Sequence, residues 1–144
     1  MKRAVPMFHV PDVAATAAWY RRIGFSVRDR ASDGEDVIWA ALTFGDSEIM
    51  LSVGGQPSAA FRREVDLYLQ VDEVDALFAA LPDDVDVVEG LHDAFYGARE
   101  FIIRDCNRFW LTFGRPVRSR PSSPTREPEP AGRHQPVRTR RRQR

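Results

Sequence analysis

The sequence holds a single cysteine, Cys106, among 144 residues. One cysteine excludes an internal disulfide and a cysteine-rich structural zinc site, and it fits a reducing cytoplasm. No apolar run approaches the roughly 18 residues of a membrane-spanning helix. There is no charged-then-apolar leader, so the expectation is a cytoplasmic chain without a signal peptide. No Ser-His-Asp spacing and no glycine-rich phosphate loop is present; "VGG" at 53–55 lacks the lysine and the helix that such a loop needs. Histidine is scarce: His9 in an apolar stretch, His92 in a loop and His134 near the end.

Charge is abundant but unevenly placed. Residues 1–114 hold 11 Lys or Arg against 19 Asp or Glu, a balance of −8, whereas residues 115–144 hold 10 Arg against 2 Glu, a balance of +8. The last thirty residues include six prolines and no aromatic residue. Such a segment buries too little apolar surface to offset its ordering entropy, so 115–144 reads as a disordered Arg/Pro-rich tail. The folded domain is then 1–114, and its acidity favours cationic ligands. The tail lacks interleaved aromatics and the domain would repel phosphates, which argues against nucleic acid. A solvated tail, or one held electrostatically on the acidic domain, fits better.

Hydrophobic periodicity gives the order of elements. "AVPMFHV" (4–10) is β-prone, with Pro6 suited to an edge or a strand's start. "PDVAATAAWYRRIGF" reads as a helix capped by Asp12, with Val13, Ala17, Tyr20 and Ile23 at helical spacing and Gly24 ending it. Three strands follow: "SVRDR", "DVIWAALTF" and "EIMLSV" (48–53), joined by "SDGED" and "GDS". After a loop the pattern restarts. "VDLYLQV" (65–71) is a strand, "DEVDALFAALP" a helix, "DVDVVEG" a strand, and "GAREFIIR" with "RFWLTF" a hairpin across "DCN". "HVPDVAATAAW" superimposes on "QVDEVDALFAA" at an offset of 61 residues, Val10 on Val71 and Val13 on Val74. The chain is therefore α+β, two tandem βαβββ modules at about 4–53 and 65–114.

A doubled βαβββ module resembles the vicinal oxygen chelate superfamily of glyoxalases, extradiol dioxygenases, fosfomycin resistance enzymes and bleomycin resistance proteins. "VPDVAATAAWYRRIGF", "VDLYLQVDEVDAL" and "YGAREFIIRDCNRFWLTF" carry the likeness, over residues 4 to 114. It implies a cup-shaped, mostly antiparallel sheet. In metal-dependent members the first and last strands of each module supply His, Gln or Glu to a divalent ion. The matching positions here are Val5, Met50 (or Ser52 with a register slip of two), Asp66 and Thr112. A valine, a thioether or hydroxyl, one carboxylate and a threonine do not make a divalent-metal set. The resemblance is therefore nearest to the metal-free bleomycin resistance proteins, which "AVP" and "G-x-R-E-F" also suggest, although Ala98 is extra. It departs at "RDCNRFW", where the family carries Asp-Pro and a glycine-bearing turn; Cys106 and Arg108 imply another turn type. In that branch the proline near the N-terminus accompanies exchange of the first strand, so a strand-swapped homodimer is expected.

The ligand-binding candidates are Trp39, Phe61, Asp66, Phe95, Tyr96, Trp110 and Thr112. Loop aromatics such as Phe61, Phe95 and Tyr96 can stack planar groups, and Asp66 would attract a cation. Trp39 serves either core or cup wall. His9 reads as a packing histidine, Glu48 as solvent-facing, and one of Arg99 and Glu100 as surface. Cys106 reads as an exposed turn residue, although Arg104 and Arg108 would favour its thiolate. The expected function is a bleomycin-resistance-like protein that sequesters a cationic or planar compound in a metal-free dimer cleft, with no cofactor. The alternatives are a metal-dependent lyase or dioxygenase drawing on Asp66, Glu48 and His9, and a tail-driven interaction protein.

Overall fold

Two stretches, each a strand and a short helix followed by three further strands, fold into two matching sheets. The structure is a computed structural model and describes residues 2–116. The first module comprises β1 (Met7–Val10), α1 (Val13–Arg22), β2 (Ser26–Asp33), β3 (Asp36–Phe44) and β4 (Ser47–Val53). The second comprises β5 (Asp66–Gln70), α2 (Val74–Ala79), β6 (Asp86–Asp93), β7 (Ala98–Arg104) and β8 (Trp110–Pro116). Each module makes a four-stranded sheet of the same topology, ordered β1-β4-β3-β2 and β5-β8-β7-β6. First and last strands pair in parallel and the other neighbours are antiparallel. The helices start at Val13 and Val74, both buried, which is the offset seen in the sequence.

Helix α1 forms because Asp12 accepts the Ala15 N–H at 2.8 Å and Val13, Thr16, Ala17 and Tyr20 recur on one face. Arg21 and Arg22 lie favourably at its C-terminal end. Gly24, at φ 108°, takes the left-handed conformation that ends it. Helix α2 is shorter than the expected 72–82. Glu73 makes no side-chain cap bond, and the helix gives out three residues before Pro82. Strand β1 is likewise shorter than 4–10 and begins after Pro6, which has no N–H to pair but whose carbonyl accepts from Met50 N at 2.8 Å. Within the chain, β1 lies on β4 of its own module. Strand β8 runs to Pro116, two residues past the expected boundary, and Arg115 donates to the Asp72 carbonyl at 3.2 Å. The rest of the expected tail, 117–144, lies outside the described residues.

The inner faces of both sheets share one core, so the modules are halves of a single unit. Phe8 and Val10 of β1, Leu42 of β3 and Leu51 of β4 join Phe101, Ile103, Leu111 and Phe113 from the second sheet. Phe8 stacks on Phe109 at 4.6 Å and Phe113 on Phe101 at 5.0 Å, while Phe44 meets Phe113 edge-on. Each such ring contributes roughly 1.5–3 kcal/mol by leaving water.

One polar cluster fastens the modules. Tyr20 of α1, wholly buried, donates to Asp105 Oδ2 at 2.7 Å, and Asn107 Nδ2 donates to Thr16 Oγ1 at 2.9 Å. Asp105 Oδ1 in turn accepts the N–H groups of Asn107 and Phe109, which shapes the β7–β8 turn. In that turn Arg108 sits at φ 72°, the one non-glycine in the left-handed region among the described residues. A Cβ there costs roughly 1–2 kcal/mol. The Arg108 guanidinium answers it by bonding the Ala60 carbonyl, which straps the inter-module loop to the turn. Among the described residues, no helix is long and apolar enough to cross a membrane.

Candidate functional site: the outward face of the second sheet

Because side chains alternate along a strand, committing one set to the core fixes the other set outward. Leu67, Phe101, Ile103, Leu111 and Phe113 face inward. Asp66, Tyr68, Glu100, Ile102, Trp110 and Thr112 therefore share the opposite face. Register places Asp66 beside Trp110, Tyr68 beside Thr112, Thr112 beside Ile102, and Glu100 beside Gly114. Together with His92, Phe95 and Tyr96 from the β6–β7 hairpin and Arg62 from the loop, they line a concave pocket of about 700 Å³.

At its base lies Glu100, only 3% exposed. Tyr96 Oη donates to its Oε1 and Tyr68 Oη to its Oε2 at 3.4 Å. His92 Nε2 is 3.5 Å from the same Oε1. No Lys or Arg among the described residues pairs with Glu100. The bond to Glu100, with burial behind it, pushes the Tyr96 hydroxyl up to about 12. Burial first, and then Glu100, raises Tyr68. Both phenols thus remain protonated donors at neutral pH. Gly114 makes this arrangement possible, because a Cβ there would stand 2.2 Å from Tyr68 Oη.

Five of the expected ligand-binding residues, Asp66, Phe95, Tyr96, Trp110 and Thr112, line this one pocket. Phe61 stands at its edge, 65% exposed, edge-on to Trp110 at 5.6 Å and under Arg104 at 4.8 Å. Its carbonyl accepts from Trp110 Nε1 at 3.1 Å. Phe95 is fully exposed and perpendicular to Tyr96. Trp39 is not brought there. It sits on β3 beside Ser52 and Ala31, on the outward face of the first sheet.

Three expectations need correction. Asp66 is not a free carboxylate, because Arg62, four residues earlier, folds back to pair with it while lying 4.4 Å over Trp110. Glu48 is not solvent-facing; its side chain is 5% exposed between Arg28 at 2.8 Å and Arg3 at 3.0 Å. Burial pushes its carboxyl up, but Arg28 and then Arg3 outweigh that and hold it below the usual range. Cys106 is exposed as a residue, yet its sulfur rests against Thr16 and Asn107. Burial of the sulfur and the nearby Asp105 carboxylate push the thiol up to about 11, against a smaller lowering by the Thr16 contact, so the thiolate is not favoured.

Of the four positions that correspond to metal ligands, Met50 and Ser52 belong to the first sheet, Asp66 and Thr112 to the second. Val5 precedes β1 and lines a separate cleft against β5. Among the described residues, no three His, Cys, Asp or Glu side chains converge as a ligand set. With Asp66 already paired and Thr112 offering one neutral hydroxyl, these residues do not fit a divalent ion. His9 is exposed on the first sheet, with Nδ1 3.4 Å from the Val53 carbonyl.

Glu100, Tyr68 and His92 were not among the ligand-binding candidates read from the sequence. A signal existed: with Phe101 in the core, alternation turns Glu100 to the pocket, and Gly114 is its partner across the ladder.

The doubled βαβββ arrangement defines a class of fold, and the comparisons place the chain within it. The family model of the Glyoxalase/Bleomycin resistance protein/Dioxygenase superfamily matches residues 4–113, and the chain belongs to that superfamily. Among solved structures it resembles TioX from Micromonospora sp. ML1, with a TM-score of 0.65 at 21% identity over 79% of this chain and 95% of that one. It resembles a bleomycin-binding protein complexed with bleomycin, with a TM-score of 0.61 at 17% identity over 80% and 98%. The antibiotic binding protein TnmS3 from Streptomyces sp. CB03234 gives 0.57 at 21% identity over 80% and 97%. At these identities the likeness is one of fold. None of the curated protein sequences matches the chain.

Proposed function

We propose that this protein binds a small organic molecule, cationic or planar, in the pocket of the second sheet and sequesters it without turnover. The observation that carries this reading is the pocket itself, about 700 Å³, in which aromatic rings surround a few fixed polar groups. That size and lining suit a drug-sized ligand. Trp110, Tyr96 and Phe95 offer rings for stacking, and Thr112 offers a hydroxyl on the floor. The fold shared with a bleomycin-bound structure and with an antibiotic binding protein supports the same reading. No cofactor enters it.

In this reading the protein works in the cytoplasm as a homodimer. The outward face of the first sheet, with Met7, Trp39 and Met50, would close the pocket of a second copy. The half-exposed Met7 and the neighbouring Trp39 give that face the apolar character an interface core needs. Exchange of the first strand would require β1 to leave β4 of its own module for that of its partner.

Calorimetry with bleomycin as the probe, run beside metal analysis of the purified protein, tests the proposal. Saturable binding with the drug recovered unchanged is the expected result. About one divalent ion per site, together with conversion of a glyoxalase or dioxygenase substrate, would overturn it for the metal-dependent lyase or dioxygenase reading. Light scattering should give twice the chain mass, and a monomer removes the dimer from the proposal.

A further inference from the structure

Both phenol protons at the base of the pocket are already committed. Tyr96 Oη and Tyr68 Oη each donate to Glu100, so each offers the pocket only oxygen lone pairs. Behind them lies a carboxylate almost wholly removed from water, with no Lys or Arg against it among the described residues. A buried carboxylate polarises the hydroxyls bonded to it and strengthens what their oxygens accept. It also remains an incompletely balanced charge, since two neutral phenols and a histidine at 3.5 Å supply no fixed positive charge. Of the other wall carboxylates, Glu89 also meets only His92, at 3.5 Å, but its side chain is half in water, whereas two have an arginine. Asp66 is matched by Arg62 and Asp93 by Arg99.

From this arrangement we propose, resting on the small-molecule reading above, that Glu100, Tyr68 and Tyr96 form an acceptor-only receptor for a protonated nitrogen. The ligand class is then narrower than cationic or planar: it carries an ammonium or guanidinium group next to a flat ring. The nitrogen meets the two phenol oxygens over Glu100, and the ring lies along Trp110 and Phe95. Gly114 is a positioning residue, since its missing side chain is the space that Tyr68 fills beside Glu100. His92 and Arg62 are the positively chargeable groups among the pocket's lining residues. Arg62 is held by Asp66, and His92 lies 3.5 Å from both Glu89 and Glu100.

The test pairs naphthylethylamine with its neutral counterpart naphthylethanol, titrated calorimetrically into the full chain at neutral pH. The amine should bind roughly tenfold or more tightly, the effect of one added charge-assisted hydrogen bond. Glu100→Gln should bring the two probes to parity, and Tyr96→Phe, which keeps the half-exposed ring, should erode the preference. Equal binding of both probes by the unaltered protein overturns this inference and leaves the pocket reading standing. Binding of neither overturns both. A preference that survives in Glu100→Gln shows that another group reads the charge, and equally overturns it.

Discussion

Tyr20→Phe removes one oxygen and leaves the ring's packing in place, so it isolates the buried bond to Asp105 among those that join the modules. Tyr20 has no exposed surface and Asp105 is 5% exposed. Oδ2 of Asp105 accepts from Tyr20 at 2.7 Å, while Oδ1 is occupied by the backbone of Asn107 and Phe109. A hydrogen bond to a charged group contributes about 1.5–3 kcal/mol, and leaving its buried acceptor without a partner falls at the upper end. The expected loss is therefore about 2–3 kcal/mol near neutral pH. The pH dependence follows from the same geometry. Burial raises the Asp105 carboxyl above its ordinary 3.8, and the Tyr20 bond is the largest influence opposing that rise, so the substitution raises it further. A raised carboxyl gives its full contribution to stability below 3.8 and loses it as pH climbs through the folded value. The variant should thus lose more than the parent over that climb, and the gap between them should narrow on acidification toward pH 4. Urea unfolding followed by tryptophan fluorescence, at pH 7 and again near pH 4, reads both effects. A gap under about 0.5 kcal/mol at neutral pH, the range of an ordinary surface change, or a gap that widens in acid, refutes the reasoning.

Gly114→Ala should force the half-exposed Tyr68 out of its place, at a stability loss of about 1–2 kcal/mol. Ultraviolet titration should then show one phenolate forming at lower pH; an unchanged titration means Tyr68 never depended on the glycine. Cys106 should alkylate with iodoacetamide slowly at neutral pH, its rate rising toward pH 11, and a plateau near pH 8 by mass spectrometry would contradict the buried sulfur. Arg62→Ala should change Trp110 emission, because the guanidinium lies over that indole, while leaving the unfolding midpoint nearly unmoved as expected for an exposed ion pair. A chain ending at Pro116 should melt at the same temperature as the full chain, all eight strands being present; a lower midpoint by calorimetry would mean that 117–144 contributes to the fold.

Local rules carried the sequence far where local forces decide. The Asp12 cap, the helical stripe to Tyr20 and the glycine that ends it are set within one segment, and both hairpins follow from alternation and turn residues. The repeat was legible because each module uses the same residue types in the same order. What escaped depends on partners far along the chain. Parity tells which face of β3 carries Trp39, but not that the first sheet's outward face lies apart from the second sheet's pocket. Arg62 is the exception in range, only four residues before Asp66, but an irregular loop carries no periodicity to say that it turns back; Arg3 and Arg28 converge on Glu48 from farther along the chain. Glu100 stood between an arginine and a phenylalanine, and only the core position of Phe101 decides where it points. The shortened α2 reflects a missing cap bond, which a glutamate at the right position does not guarantee.

The β7–β8 turn has a consequence for the order in which the chain can fold. Tyr20 and Asp105 are 85 residues apart, and Thr16 and Asn107 are 91 apart. Phe8, in the opening strand, lies under Phe109. The first module therefore cannot finish its own core until the final hairpin has formed, and contacts of such range make folding slow. During synthesis the apolar inner face of the first sheet stays uncovered until the last strand arrives. That interval exposes the chain to aggregation, so slower elongation or weakened chaperone capacity should reduce its yield before any change in its final stability is seen.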